Sequence, residues 1–189
     1  MPGVKLGFVV PTWTTTSLSW RDVLEVSHAA VDVGFDSLWV TDHLLQESTN
    51  AELRHRAGLS VPEAAEELAE GYLECFSTLA ALAAALPTVQ LGSFVACARY
   101  RNPALLGKMA DNIDSISDGR FVLGVGAGDS EEEHQRFGFP TDHSVSHFQE
   151  HWRSCMVYSR MVNWSSAAST TRFDRRACFP GDLGRMVRQ

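Results

Sequence analysis

The stretch Asn102-Pro-Ala-Leu-Leu-Gly-Lys-Met-Ala-Asp-Asn-Ile-Asp-Ser-Ile-Ser-Asp-Gly-Arg-Phe-Val-Leu-Gly-Val-Gly-Ala-Gly-Asp129 decides the fold. Leu106, Met109, Ile113 and Ile116 recur three and four residues apart, which predicts a helix with one apolar face. Ser117-Asp118-Gly119 ends it, and Gly119 suits the left-handed position after a helix C-terminus. Phe121–Val125 is a short unbroken apolar run, the pattern of a strand covered on both faces. Gly126 and Gly128 flank Ala127 just beyond it, where α/β proteins place their ligands.

The same alternation extends outward through residues 1–150. Lys5–Val10 reads as a first strand. Ser19 can cap a helix whose buried side carries Trp20, Val23, Leu24 and Val31, and Gly34 stops it. Ser37–Thr41 is a second strand, followed by a polar connection from Leu44 to about Ser60. Pro62 suits a first helical position, predicting a helix to Leu86 with a break near Gly71, and Pro87 ends it. Val89–Ala96 is a third strand. The helix from Pro103 and the strand ending at Val125 complete a fourth step, and Ser144–Glu150 opens another helix. Repeated strand–helix units with buried strands imply a parallel sheet, either doubly wound or closed into a barrel.

Bulk properties exclude several classes. The chain has 189 residues, 44% of them hydrophobic, and a net charge of -7. That charge disfavours nonspecific nucleic-acid binding and anionic membrane surfaces. No apolar run approaches a membrane span, and the one near the N-terminus is too short for a signal-peptide core. Cys75, Cys97, Cys155 and Cys178 show no Cys-x-x-Cys spacing, so neither a metal site nor a disulfide framework is expected, and a reducing cytoplasm is the default setting. Charge is uneven: residues 1–150 hold 9 basic and 21 acidic side chains, whereas 151–189 hold 7 basic and 2 acidic.

A set of motifs in register resembles the bacterial luciferase-like family of flavin- and deazaflavin-dependent oxidoreductases. They are Gly34-Phe-Asp-Ser-Leu-Trp-Val-Thr-Asp-His43, Leu91-Gly-Ser-Phe-Val95, Tyr100-Arg-Asn-Pro103, Ser117-Asp-Gly-Arg120 and the opening stretch, spanning about Lys5 to Glu150. The resemblance implies a (β/α)₈ TIM barrel, of which this chain supplies about four units. It implies coenzyme F420, a deazaflavin, or alternatively FMN as cofactor. The wording of the Trp39–His43 and Arg101–Lys108 segments favours the deazaflavin branch. The reaction implied is hydride transfer between coenzyme F420 and a small organic substrate, or monooxygenation with reduced flavin and oxygen.

The expected site follows from the strand ends. Asp42 and His43 close strand two, where a His can donate to a cofactor ring or move a proton near neutral pH; a capping Asp with a structural His is the plainer alternative. For Phe94-Val95 the resemblance implies a bulge, often with a non-prolyl cis peptide, supporting the ring. Gly126 and Gly128 would let a flat ring approach the backbone. Asp129 matches a position where some family dehydrogenases have a catalytic Glu, but the acidic run to Glu133 also reads as a solvated helix start. His43, Asp42 and Asp129 are thus the candidate catalytic residues, and His43, Phe94, Val95, Gly126 and Gly128 the candidate cofactor contacts. Glu74 matches a frequent acidic position. Arg101 is expected to pair with a carboxylate, and Arg120 with an acid in the barrel wall. Thr12-Trp13-Thr14 stands where sugar-phosphate dehydrogenases of the family carry a Glu, which argues against that substrate.

Residues 151–189 read differently, mixing Arg, Gly, Pro, Ser and Cys without clear period. Two accounts fit: a reading frame shifted near Glu150, which translation of the other two frames would test, or a divergent arm that contacts a partner. The chain organisation expected is therefore a barrel half over 1–150 and an atypical tail over 151–189. A half barrel leaves strand edges open, so a homodimer or a non-catalytic, partner-binding remnant stands beside the enzyme reading.

Overall fold

In the computed structural model, which describes residues 4–14, 19–45 and 71–161, the chain alternates strand and helix as expected. In order it forms β1 (Gly7–Val9), β2 (Trp13–Thr14), α1 (Trp20–Asp32), β3 (Ser37–Val40), β4 (Gly71–Tyr72), α2 (Cys75–Ala85), β5 (Gln90–Ser93), β6 (Ala96–Cys97), α3 (Pro103–Ile116), β7 (Phe121–Val122), β8 (Val125–Gly126), α4 (Glu131–Phe137) and α5 (Ser144–Met161). The main sheet runs β1-β3-β5-β7, parallel throughout. Consecutive strands are neighbours, each pair after β1 joined through a helix, which is the progression of a barrel wall rather than of a doubly wound sheet.

One face of the sheet is the core. Leu38, Val40 and Leu91 point from it into Val23, Phe76, Leu79, Leu82, Leu106 and Ile113 on the helices, all buried. On the other face the Trp39 indole lies across three strands. A Cβ at Gly7 would fall 2.5 Å from its Nε1, and one at Gly92 would fall 2.3 Å from its Cζ3. The indole Nε1 donates to Ser37 Oγ at 2.9 Å. Glycines on both flanking strands thus make room for one large side chain in the middle.

Helix ends follow the capping chemistry. Ser19 caps α1 in a full capping box: its side chain accepts from the Asp22 amide, and the Asp22 side chain accepts from the Ser19 amide at 2.7 Å. Ser19→Ala is expected to cost about 1 kcal/mol, read as a shift in the urea midpoint; an unchanged midpoint would show that tertiary packing alone holds this end. Gly34 follows α1 with φ 99°, and Gly119 follows α3 with φ 77°.

Several expectations are corrected. The helix expected from Pro62 to Leu86 with a break near Gly71 is interrupted there, and the part beyond the break runs Cys75–Ala85. Residues 62–70 lie outside the described residues, and Gly71–Tyr72 pairs antiparallel with Trp13–Thr14. Glu74 sets the start, accepting from the Phe76 amide at 3.1 Å and the Ser77 amide at 2.7 Å. The third and fourth strands are each split. The Phe94–Val95 peptide is cis, and Ser93 Oγ takes over the ladder there, donating to Gly124 O at 2.8 Å and accepting from Gly124 N at 3.1 Å. Beyond the break β6 and β8 pair in parallel. Phe121, Val122 and Val125 are only half-buried, because β7 ends the strand order instead of lying within it. Trp20 and Ile116 are exposed. The buried side on and just after α3 runs Leu106, Ala110, Ile113 and Ser117, which leaves Ile116 off it; Trp20 shares the phase of Val23, Ser27 and Ala30 but stands at the first residue of α1. Arg120 donates to the carbonyls of Ala83, Leu86 and Val89 rather than to an acid, satisfying the acceptors at the end of α2.

The boundary expected at Glu150 falls inside α5, which continues unbroken to Met161 and buries Phe148 and Cys155. It packs mainly on α3. Residues 162–189, most of the expected tail, lie outside the described residues. Among the described residues no helix is long and apolar enough to cross a membrane.

Candidate functional site

The C-terminal ends of the parallel strands gather the residues expected to do chemistry. β3 leads into Asp42-His43, β5 into Phe94-Val95, and β8 into Ala127-Gly128-Asp129. Asp42 and His43 are consecutive yet serve different partners.

Asp42 is buried, and both its oxygens are engaged. Arg101 grips it bidentately, Nη1 to Oδ2 at 2.6 Å and Nη2 to Oδ1 at 2.8 Å. The Cys97 amide donates to Oδ2 at 2.8 Å. Arg101 also reaches Glu74 Oε1 at 2.6 Å and lies 4.6 Å from the Phe76 ring centroid. One guanidinium therefore ties the end of β3 to the start of α2, and the expected Arg101–carboxylate pairing is present twice. Asp42 is thus a buried counter-ion to Arg101 that anchors the end of β3.

His43 faces Glu133, a residue that sequence reading passed over. The Glu133 carboxylate is buried and accepts four donors: Leu44 N at 2.6 Å and Leu45 N at 2.7 Å on Oε1, His43 Nδ1 at 3.1 Å and the Tyr100 hydroxyl at 2.5 Å on Oε2. Burial pushes its pKa up, but donation by His43, Tyr100 and the two amides outweighs burial and holds it down to about 2. A carboxylate only accepts, so neutral His43 carries its proton on Nδ1. The His43 ring also packs at 5.4 Å on Tyr72. The signal for Glu133 was helical phase: Ser130, Glu133 and His134 share one side at the start of α4, and all three are buried. A search for apolar stripes does not register a buried side made of polar residues.

Phe94 and Val95, at the cis peptide, are large apolar side chains left 58% and 46% exposed. Phe94 meets Trp39 edge-on at 6.2 Å. A Cβ at Gly126 would sit 2.7 Å from Val95 Cγ2, and one at Gly128 would sit 2.5 Å from Cys97 Sγ and 2.9 Å from His134 Cε1. A side chain at either position would thus collide with this chain's own side chains around the bulge and the start of α4. Asp129 is exposed just ahead of α4. Behind Gly128, His134 donates from Nδ1 to Ser130 O at 2.5 Å, which leaves Nε2 as acceptor facing Cys97 Sγ at 3.8 Å. Burial pushes the Cys97 thiol up, so it remains a protonated, internal donor.

Parallel strands in sequential order, with helices on one face, define one wall of a TIM-barrel fold. The chain belongs to the luciferase-like monooxygenase family, which it matches over residues 2–177, past Glu150. Among its relatives is the F420-dependent glucose-6-phosphate dehydrogenase of Amycolatopsis mediterranei, 32% identical over 114 residues, which are 60% of this chain and 29% of that protein. Among solved structures, monooxygenase RslO1 from Streptomyces bottropensis superposes with a TM-score of 0.61 at 22% identity, covering 80% of this chain and 42% of that one. The oxygenating constituent of 3,6-diketocamphane monooxygenase from Pseudomonas putida, solved with FMN, gives 0.59 at 18%, covering 83% and 38%. The chain thus spans less than half the length of these proteins.

Proposed function

We propose that the strand-end face takes the ring of coenzyme F420 and serves hydride transfer between it and a small organic substrate. The observation that carries this reading is the exposure of two large apolar side chains, Phe94 and Val95, just past the C-terminal end of β5, the same end of the sheet at which β3 presents His43 with its partner Glu133. A flat conjugated ring needs an apolar bed and a polar group at its rim, and these residues fit that need. When bound, the deazaflavin supplies the hydride chemistry. Phe94 and Val95 form the bed, Gly126 lets Val95 seat closely, and His43 holds or moves the proton at Nε2, the ring nitrogen across from Glu133. The similarity to an F420-dependent dehydrogenase supports the choice of deazaflavin.

The second reading is an FMN-dependent monooxygenase, supported by the description of the family itself. A third, a non-catalytic remnant or homodimer, draws on the two strands that end the sheet, Gly7–Val9 and Phe121–Val122. Titrating the purified chain with coenzyme F420 and with FMN, followed by chromophore absorbance, separates the three. Weak binding to this short chain is expected, with F420 the tighter ligand. Phe94→Asp should weaken it roughly ten- to a hundredfold, since burying a Phe side chain contributes about 1.5–3 kcal/mol. Tighter FMN binding would favour the second reading. No spectral change with either ligand would sink both and leave the third.

A further inference from the structure

We propose that Glu133 is the positioning residue for His43, fixing its neutral ring in the Nδ1–H tautomer. The proposal rests on the reading of His43 as the proton-handling group. Every group around Glu133 is a donor: two backbone amides, a tyrosine hydroxyl and the imidazole Nδ1. Two of the four, the amides of Leu44 and Leu45, cannot reverse that role. Two can: a hydroxyl also accepts, and a neutral imidazole nitrogen accepts when its proton sits on the other nitrogen. The amides also belong to the residues directly after His43, so the same carboxylate holds the backbone that carries the ring. Replacing an acid by its amide behind a histidine is known in general to install the wrong tautomer while the geometry stays in place.

The isosteric Glu133→Gln variant turns this asymmetry into a measurement. Glutamine has a single acceptor oxygen, which must stay with the Leu44 and Leu45 amides. Its NH₂ then faces Tyr100 and His43, and His43 has to accept at Nδ1 and carry its proton on Nε2. Long-range ¹⁵N–¹H NMR of the full chain at about pH 9, well above the usual imidazole range, reads the tautomer directly, with His43→Asn identifying the signal. The expected result is a protonated Nδ1 in the native chain, a protonated Nε2 in Glu133→Gln, and an unchanged Nδ1–H in Tyr100→Phe. Glu133→Asp, one methylene short, is the gentler variant should the amide prevent folding. It is expected to show both tautomers. A native His43 protonated mainly on Nε2, or Nδ1–H kept undiminished in whichever of Glu133→Gln and Glu133→Asp folds, would overturn the proposal. The spectra need no cofactor. A tautomer switch in a chain that binds neither F420 nor FMN would leave the positioning intact and remove the cofactor reading. Binding without a switch would do the reverse.

Discussion

Replacing Arg101 with Met removes about 3–5 kcal/mol of stability, the cost of leaving a buried carboxylate without its counter-charge. Asp42 is 4% exposed, and apart from the Cys97 amide its hydrogen bonds come from Arg101. A methionine keeps the aliphatic packing against Phe76 but offers no donor, so Asp42 must protonate or draw in water. Domains of this kind are stable by only about 5–15 kcal/mol, so the variant should unfold at markedly lower urea or fail to accumulate. Arg101→Lys should recover only part of the loss, because an ammonium cannot bridge both Asp42 oxygens and still reach Glu74. A loss below about 1 kcal/mol for Met would put this pair with solvated surface bridges and withdraw the anchoring role given to Asp42.

The second large effect appears on acidification. The Glu133 carboxyl titrates at about 2 in the folded chain against 4.5 ordinarily. A depressed folded value means the ionised form stabilises the fold at every pH above about 4.5, and that contribution disappears as pH falls through the folded value. The difference corresponds to about 3 kcal/mol. Urea unfolding of the native chain between pH 7 and pH 2 should therefore show a loss that Glu133→Gln does not share, while losses from the other acids are common to both. Parallel curves for the two proteins would mean that the four donors do not hold the charged form. At neutral pH the variant should already be the weaker protein, because the Tyr100 hydroxyl, now accepting from the amide, loses the acceptor for its own hydrogen.

The strands and helices were largely legible because their signals are local. Ser19 announces a helix start, Asn102-Pro103 opens α3, and Gly34 and Gly119 occupy left-handed positions that exclude most other residues. Legibility failed where a residue's state depends on a distant partner. Gly71–Tyr72 extends only because Trp13–Thr14 lies beside it. Arg120 finds three carbonyls that no spacing rule brings near it. The site divided along the same line. His43, Phe94 and Val95 could be proposed from strand ends and family register, but the Asp42 carboxylate and the His43 ring make hydrogen bonds that reach 55 to 90 residues along the chain. Glu133 was hidden among Glu131 and Glu132, and only the phase of its helix separates it from them.

The indole of Trp39 has an evolutionary corollary. Because one ring occupies the volume above Gly7 and Gly92 together, positions 7, 39 and 92 share a single allotment of space. A homologue with a small residue at 39 has room for a β-carbon or more at 7 or 92, and a homologue that keeps tryptophan does not. The three sites should therefore drift in concert, with bulk passing from the central strand to its neighbours and back, although they are far apart in the chain.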